Sequence, residues 1–382
     1  MSRREIGRYC LTAERRAGGT AEVWRATHGH EVVAIKIARA GRDADMLRRE
    51  RNALLEIARV DPSAPGWVVT VLDHGEADEL PWIALPWFAH TLRSYVASEP
   101  GLAAVLRACE GATASLFRLH QSGASLGSPR LHRDVKPDNF LVDDEGRVVL
   151  ADLGTARADS LAGAVSPTVV YTPRYAPVEQ TLGLSRLPDP SVDAHALAVT
   201  IYACLSGTEP DSKGAYVPYT AEGARLLDGQ GKDSPEIDRL RARPLDALVR
   251  LDEMTALTEG DVNRLRNALA DATRDDGLAT RLAEFLVPVL RRAMEPNPAL
   301  RDGDLRKLAA ALEAARRCLG DQSPLRVTPP PRSETPRAPV KTPLSTPALP
   351  ERLEEDDPVA RYVLVMIGIA AVVMLGVLAM AQ

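Results

Sequence analysis

Cysteine is scarce in this sequence, and what there is of it is scattered. Cys10, Cys109, Cys204 and Cys318 are the four among 382 residues, and no two form a C-x-x-C pair. That excludes a disulfide scaffold, argues against a zinc site, and fits reduced thiols in a cytosolic compartment. A surplus of positive charge is missing too: 47 Lys and Arg against 52 Asp and Glu leave a net charge of −5. With no global excess of cations to displace phosphate counterions, nucleic acid is not an expected partner. The first residues, MSRREIGRYC, hold no apolar stretch able to serve as a signal peptide. No internal repeat is visible either. What is present, 45% hydrophobic and 26% charged residues, suffices for a sizeable core in one large domain or two smaller ones with accessory segments.

Proline is plentiful but uneven. Ten of the 29 lie between Asp321 and Pro358, among Ser, Thr and charged residues. Such a stretch buries too little apolar surface to offset its ordering entropy, so 321–360 is expected to be a disordered or polyproline-like linker. Four Thr-Pro steps, at Thr328, Thr335, Thr342 and Thr346, are interspersed with Arg332, Arg337 and Lys341. Residues 362–381 then run uncharged for a length that, as a helix, spans a bilayer's hydrocarbon core. This reads as a single transmembrane helix, its lipid bilayer contact anchoring the chain. Basic residues before it, Arg361 and Arg352 among them, place the preceding body in the cytoplasm by the positive-inside rule.

The body changes character along its length. Up to about residue 88, short β-like runs appear at 23–27 (VWRAT), 31–38 (EVVAIKIA), 67–74 (WVVTVLDH) and 81–88 (PWIALPWF), interrupted by one helical stretch at 44–58. From about Thr91, Ala- and Leu-rich helical patterns dominate, with one short strand pair near 139–151. A small sheet-rich lobe followed by a larger helical lobe is an α+β arrangement with a cleft between its parts.

The chemistry-bearing residues cluster. His132-Arg133-Asp134-Val135-Lys136-Pro137-Asp138-Asn139 is followed by Asp152-Leu153-Gly154. Phosphoryl transfer needs a carboxylate to orient an attacking hydroxyl, a carboxylate and an amide oxygen to hold a divalent cation, and a cation against the moving phosphate. Asp134, Asp152, Asn139 and Lys136 supply these at short spacing. The eight-residue run matches the catalytic loop of protein kinases, and DLG is a variant of their DFG. The chain thus resembles the eukaryotic-like bacterial serine/threonine protein kinases.

That resemblance implies a two-lobed protein-kinase-like fold over 8–318, with an N-lobe at about 8–88 and a C-lobe at about 89–318. It implies ATP with Mg2+ or Mn2+, and protein substrates phosphorylated on Ser or Thr. Asp134 and Lys136 become the catalytic pair; Asn139 and Asp152 become the metal ligands. Within VVAIKIA, Lys36 matches the lysine that holds the α- and β-phosphates, and Glu50, on one helix face with Leu47 and Leu54, is its expected partner, better placed than Asp45. The ATP site would be completed by Gly18 and Val23 of the glycine-rich loop and by Leu85, Pro86 and Phe88 at the hinge. Glu179, Asp193 and Arg301 match structural anchors: the glutamate of the A-P-E motif, the aspartate that opens the central helix, and the arginine that pairs that glutamate. Arg133 offers a cationic partner for a phosphate on Thr168 or Ser166, and the Thr-Pro linker is a further expected target of autophosphorylation.

Two departures stand out. Of the family's three loop glycines only the middle one survives, as Gly18, with Arg16 and Ala21 at the outer positions. This leaves a rival reading, a catalytically impaired pseudokinase acting as a membrane-anchored scaffold. The stretch from Gly207 to Arg301 is also longer than usual, and its polar part, about 211–276, reads first as a surface insertion.

Overall fold

In the computed structural model, the residues described are 5–17, 21–39, 41–123, 129–155, 157–158, 172, 174–181, 189–208 and 257–320. They fall within one compact unit, Met1–Pro331. The linker, the apolar run 362–381, Gly18, Ser166 and Thr168 lie outside them. Among the described residues no helix is long and apolar enough to cross a membrane.

The N-terminal part is a six-stranded antiparallel sheet. Its strands are β1 (Glu5–Ile6), β2 (Tyr9–Ala17), β3 (Ala21–His28), β4 (Glu31–Ala38), β5 (Asp73–Ala77) and β6 (Leu80–Pro86), in spatial order β1-β2-β3-β4-β6-β5. The two-residue period of β4 sorts its side chains. Val33, Ile35 and Ile37 join Tyr9 and Trp82 in a cluster on one face, while Ala34 and Ala38 face the main core. Lys36 shares that second face. There it meets α1 (Arg42–Val60), whose Leu47, Glu50, Leu54 and Ile57 form one buried stripe.

Towards the C-terminus come β7 (His90–Thr91), α2 (Leu92–Ala97), α3 (Leu102–Ser122), β8 (Arg130–Leu131), β9 (Phe140–Val142), β10 (Val148–Leu150), β11 (Arg157–Ala158), α4 (Val178–Thr181) and α5 (Ser191–Ser206). Among the described residues three helices follow: α6 (Glu259–Thr273), α7 (Asp276–Ala293) and α8 (Leu305–Cys318). Nearly every residue of α5 is buried, which makes it the central helix. The strand β9 pairs with both β10 and β7, and β8 pairs with β11.

Two expectations need correction. The run 67–74 is not one strand. Strand β5 begins only at Asp73, and Trp67–Val69 instead bridge to β10, with Val69 N–H donating to the Leu150 carbonyl at 2.9 Å and Leu150 N–H to the Trp67 carbonyl at 2.8 Å. Their apolar character reflects burial between the sheet and the helical part rather than membership of the sheet. The second correction concerns 211–276. Residues 209–256 lie outside the described set, but α6 is no surface insertion. Its Val262, Leu265 and Leu269 are buried, its N-terminus carries a Thr258/Asp261 capping box, and Tyr202 on α5 donates to the Asp261 carbonyl at 3.0 Å.

Candidate active site

Two ion-paired groups meet at the cleft. Lys36 Nζ lies 2.7 Å from Glu50 Oε2 and 3.1 Å from Asp152 Oδ1. These residues, with Ala21, Asp43, Met46, Leu47 and Gly154, line one small pocket. Asp45 is elsewhere, in an exposed pair with Arg48. Burial opposes the charge on Lys36, but Asp152 and Glu50 outweigh it and hold its pKa above the ordinary lysine value. Burial pushes Glu50 up to about 7, against the pull of Lys36 and with the help of Asp152. Asp152 is half-buried, and although desolvation opposes its charge, Lys36 keeps its pKa below the usual carboxylate range.

The second group is the catalytic-loop run. Lys136 Nζ donates to Asp134 Oδ2 at 2.7 Å and to Thr172 Oγ1 at 2.8 Å, and the Thr172 hydroxyl donates to Asp134 Oδ1 at 2.7 Å. Asn139 Nδ2 donates to the Asp134 carbonyl at 2.7 Å and to Oδ2 at 3.3 Å, which leaves Asn139 Oδ1 as an acceptor. Pro137–Asn139 form a 3-10 turn leading into β9, so Asn139 is placed by the same short segment as Lys136.

Backbone strain accompanies this arrangement. Arg133 has φ 67° and Asp152 φ 61°, left-handed values that cost a non-glycine residue about 1–2 kcal/mol. Asp193 over-determines the first of them. Fully buried at the start of α5, it accepts from His132 N–H at 2.7 Å, Arg133 N–H at 2.8 Å and the His120 ring at 2.9 Å. Burial opposes its charge, yet the His120 hydrogen bond, the neighbouring His120 and His132 rings and the His132 N–H hold its pKa low. The Arg133 carbonyl in turn accepts from Gln180 Nε2 at 2.7 Å. Next to Asp152, the His132 ring contacts the Ala151 carbonyl at 2.9 Å.

Glu179 and Arg301 form a buried bidentate pair, with Nη2 to Oε2 at 3.0 Å, and Arg301 also donates to the Glu295 and Pro296 carbonyls. At the hinge, Leu85 and Pro86 end β6 opposite Ala34 and Val33, and Phe88 packs half-buried on the main core. Val23 sits directly across from Lys36 in the β3–β4 register. Neither Arg16 nor Ala21 takes a positive φ, so the backbone at the outer loop positions does not demand glycine.

Sequence reasoning missed four contacts. Arg130 Nη2 reaches Glu56 of α1 at 2.8 Å; Arg93 Nε bridges to Asp138 at 3.0 Å while its Nη2 donates to the Tyr175 hydroxyl at 2.8 Å; and Arg16 reaches the hinge. Each joins residues dozens of positions apart, and no local motif carries such a signal.

Comparison with known proteins places these features in context. Residues 17–222 match the protein kinase domain family. Serine/threonine-protein kinase PknL of Mycobacterium bovis is 29% identical over 310 residues, covering 76% of this chain and 71% of the relative. Probable serine/threonine-protein kinase PknB of Bifidobacterium longum is 32% identical over 222 residues, 53% of this chain and 31% of that protein. Among solved structures, the PknI kinase domain of Mycobacterium tuberculosis is similar with a TM-score of 0.46 and 21% identity, covering 82% of this chain and 98% of that one.

Proposed function

Because the chain belongs to the protein kinase family and is a serine/threonine protein kinase, we propose a division of labour among the residues of its cleft. Family membership implies ATP, a divalent cation and protein substrates. Asp134 orients the substrate hydroxyl and accepts its proton. Its two oxygens are held by Thr172 and Lys136, so the carboxylate is fixed before substrate arrives. Lys136 lies beside it as the charge that faces the transferred phosphoryl group, and the Lys136–Thr172 contact ties that loop to the segment preceding α4. Lys36, held by Glu50, takes the α- and β-phosphates.

The donor set fits a hard divalent cation. Asn139 Oδ1 and the Asp152 carboxylate are oxygen donors of the type Mg2+ or Mn2+ takes. When bound there, the cation neutralises charge on the nucleotide phosphates.

The observation that carries the reading is the buried Lys36 gripped by both Glu50 and Asp152. It also speaks against a scaffold with no nucleotide chemistry. The test is incorporation of labelled phosphate by the purified chain: wild type labels itself and a protein substrate, and Asp134→Asn does neither. Labelling that survives in Asp134→Asn overturns the assignment.

The remaining elements of the proposal concern context. Residues 362–381 serve as a single membrane span with the kinase body on the cytoplasmic side, and 321–360 as the linker to it. The support is the uncharged run and the basic residues before it. Phosphorylation at Thr168 or Ser166 raises activity through Arg133, whose backbone is already braced by Asp193 and Gln180.

A further inference from the structure

The outer glycine positions of the nucleotide loop point to something other than decay. Arg16, on β2, stands where the first glycine would be, two residues before Gly18. Its Nη2 donates to the Ala89 carbonyl at 3.1 Å, and its guanidinium carbon lies 4.7 Å from the centroid of the Trp87 ring. Trp87 and Ala89 belong to the hinge between β6 and β7. Arg25, on the neighbouring strand β3, approaches the same indole at 5.7 Å. Glu14 lies between the two arginines, 3.8 Å from Arg16 and 3.7 Å from Arg25. Two cations and a carboxylate from the two strands of the glycine-loop hairpin therefore bracket one hinge ring.

A glycine could make none of these contacts. Only a long cation spans from the loop strand to the hinge, and only a planar guanidinium stacks on an indole while donating in its own plane to a carbonyl. Because the backbone at Arg16 is not left-handed, the chain accepts the side chain there without strain.

We propose that Arg16 is a nucleotide-positioning residue: with Trp87 and the Ala89 carbonyl it latches the glycine-loop hairpin to the hinge across the mouth of the ATP cleft, and so lengthens nucleotide residence. The latch takes over, from the rim, part of the grip that the missing glycines supply through close approach of the backbone to phosphate. The proposal rests on the kinase reading. It assigns Arg16 to holding the nucleotide and not to the transfer step, since its contacts are all to the hinge and the strand pair.

Three variants of the full-length chain test it: Arg16→Gly, Arg16→Lys and Trp87→Leu. The readouts are the Mg·ADP dissociation constant by calorimetry, and KM for ATP and kcat from phosphate transfer. Arg16→Gly is expected to weaken Mg·ADP about fivefold and raise KM for ATP by a similar factor, with kcat within about twofold, as the loss of a partly exposed stacked cation implies. Arg16→Lys should recover only part of the affinity, because it keeps the charge but loses the planar stack. Trp87→Leu should match Arg16→Gly, and combining the two should add little, since they share one contact. Thermal unfolding separates these effects from misfolding, and the exposed Arg16 variants stand without Trp87→Leu if that one unfolds. Affinity and KM within twofold of wild type in Arg16→Gly would overturn the latch, as would a fall in kcat at unchanged KM. A wild-type chain that binds no Mg·ATP would instead overturn the kinase reading beneath it.

Discussion

Two buried ion pairs in this molecule look alike on paper and differ in what they are for. Glu179 and Arg301 meet bidentately, with Arg301 further tied to two backbone carbonyls. Lys36 and Glu50 meet through one oxygen, with Lys36 shared to Asp152 and the pair lining a pocket. The first is a staple, joining α4 to the turn before α8. The second is held in readiness. Its lysine is to be shared with a nucleotide, and its glutamate has its pKa pushed up to about 7 because burial outweighs the attraction of Lys36. Geometry, rather than burial, separates a structural pair from a working one.

The comparison breaks most sharply at the staple. Arg301→Ala strands the Glu179 carboxylate in the interior, and unfolding free energy by urea titration should fall by about 3–5 kcal/mol. A loss under about 1 kcal/mol would mean that the pair is not a staple. Arg301→Lys should restore little, since an ammonium cannot reproduce the fork.

Next comes the working pair. Lys36→Met should cut phosphate transfer by about 10²–10³-fold, or ~2.7–4 kcal/mol of transition-state stabilisation. The urea midpoint should move far less than in Arg301→Ala, because Glu50 left without its lysine can take a proton. Activity and stability measured on the same preparation check both halves.

The proton affinity of Glu50 gives a sharper signature. Its pKa is near 4.5 in the unfolded chain and about 7 in the fold, so the folded state holds that proton more tightly. Stability from this group is present below pH 4.5 and is lost as pH rises through about 7. Activity should run the other way, rising through the same window as Glu50 ionises and the pair with Lys36 gains its full charge. Glu50→Gln should abolish both slopes, with activity low and flat. Parallel rather than opposed slopes would show that another group titrates.

The smallest effect is expected where an acidic residue on the same helix faces solvent. Asp45→Ala breaks only the exposed i,i+3 contact with Arg48, worth about 0.3–0.5 kcal/mol, and should leave kcat and KM unchanged. A large loss there would reopen the choice between Asp45 and Glu50.

Much of the site is legible in the sequence because it is local. His132 to Asn139 act within one loop and a 3-10 turn, so eight consecutive letters carry three of the four groups for phosphoryl transfer. The period-2 pattern of β4 and the apolar stripe of α1 are enough to suggest that Lys36 and Glu50 share a face. The same local reading misplaced Trp67–Val69, since an apolar run has one appearance whether it enters a sheet or fills a boundary between sheet and helices. It also undervalued α6, whose three buried leucine and valine side chains are sparse among polar neighbours.

What the sequence determined alone is therefore the chemistry: which groups are present, in what order, and the strands and helices that carry them, because these follow from short-range spacing. Only the tertiary structure decided the pairings that no matched motif announces. Lys36 finds Asp152 across 116 positions, Arg130 finds Glu56 across 74, and Arg16 finds Ala89 across 73. Such contacts depend on how a folded core brings distant segments within hydrogen-bond reach, and no pattern in the intervening residues specifies the distance that closes.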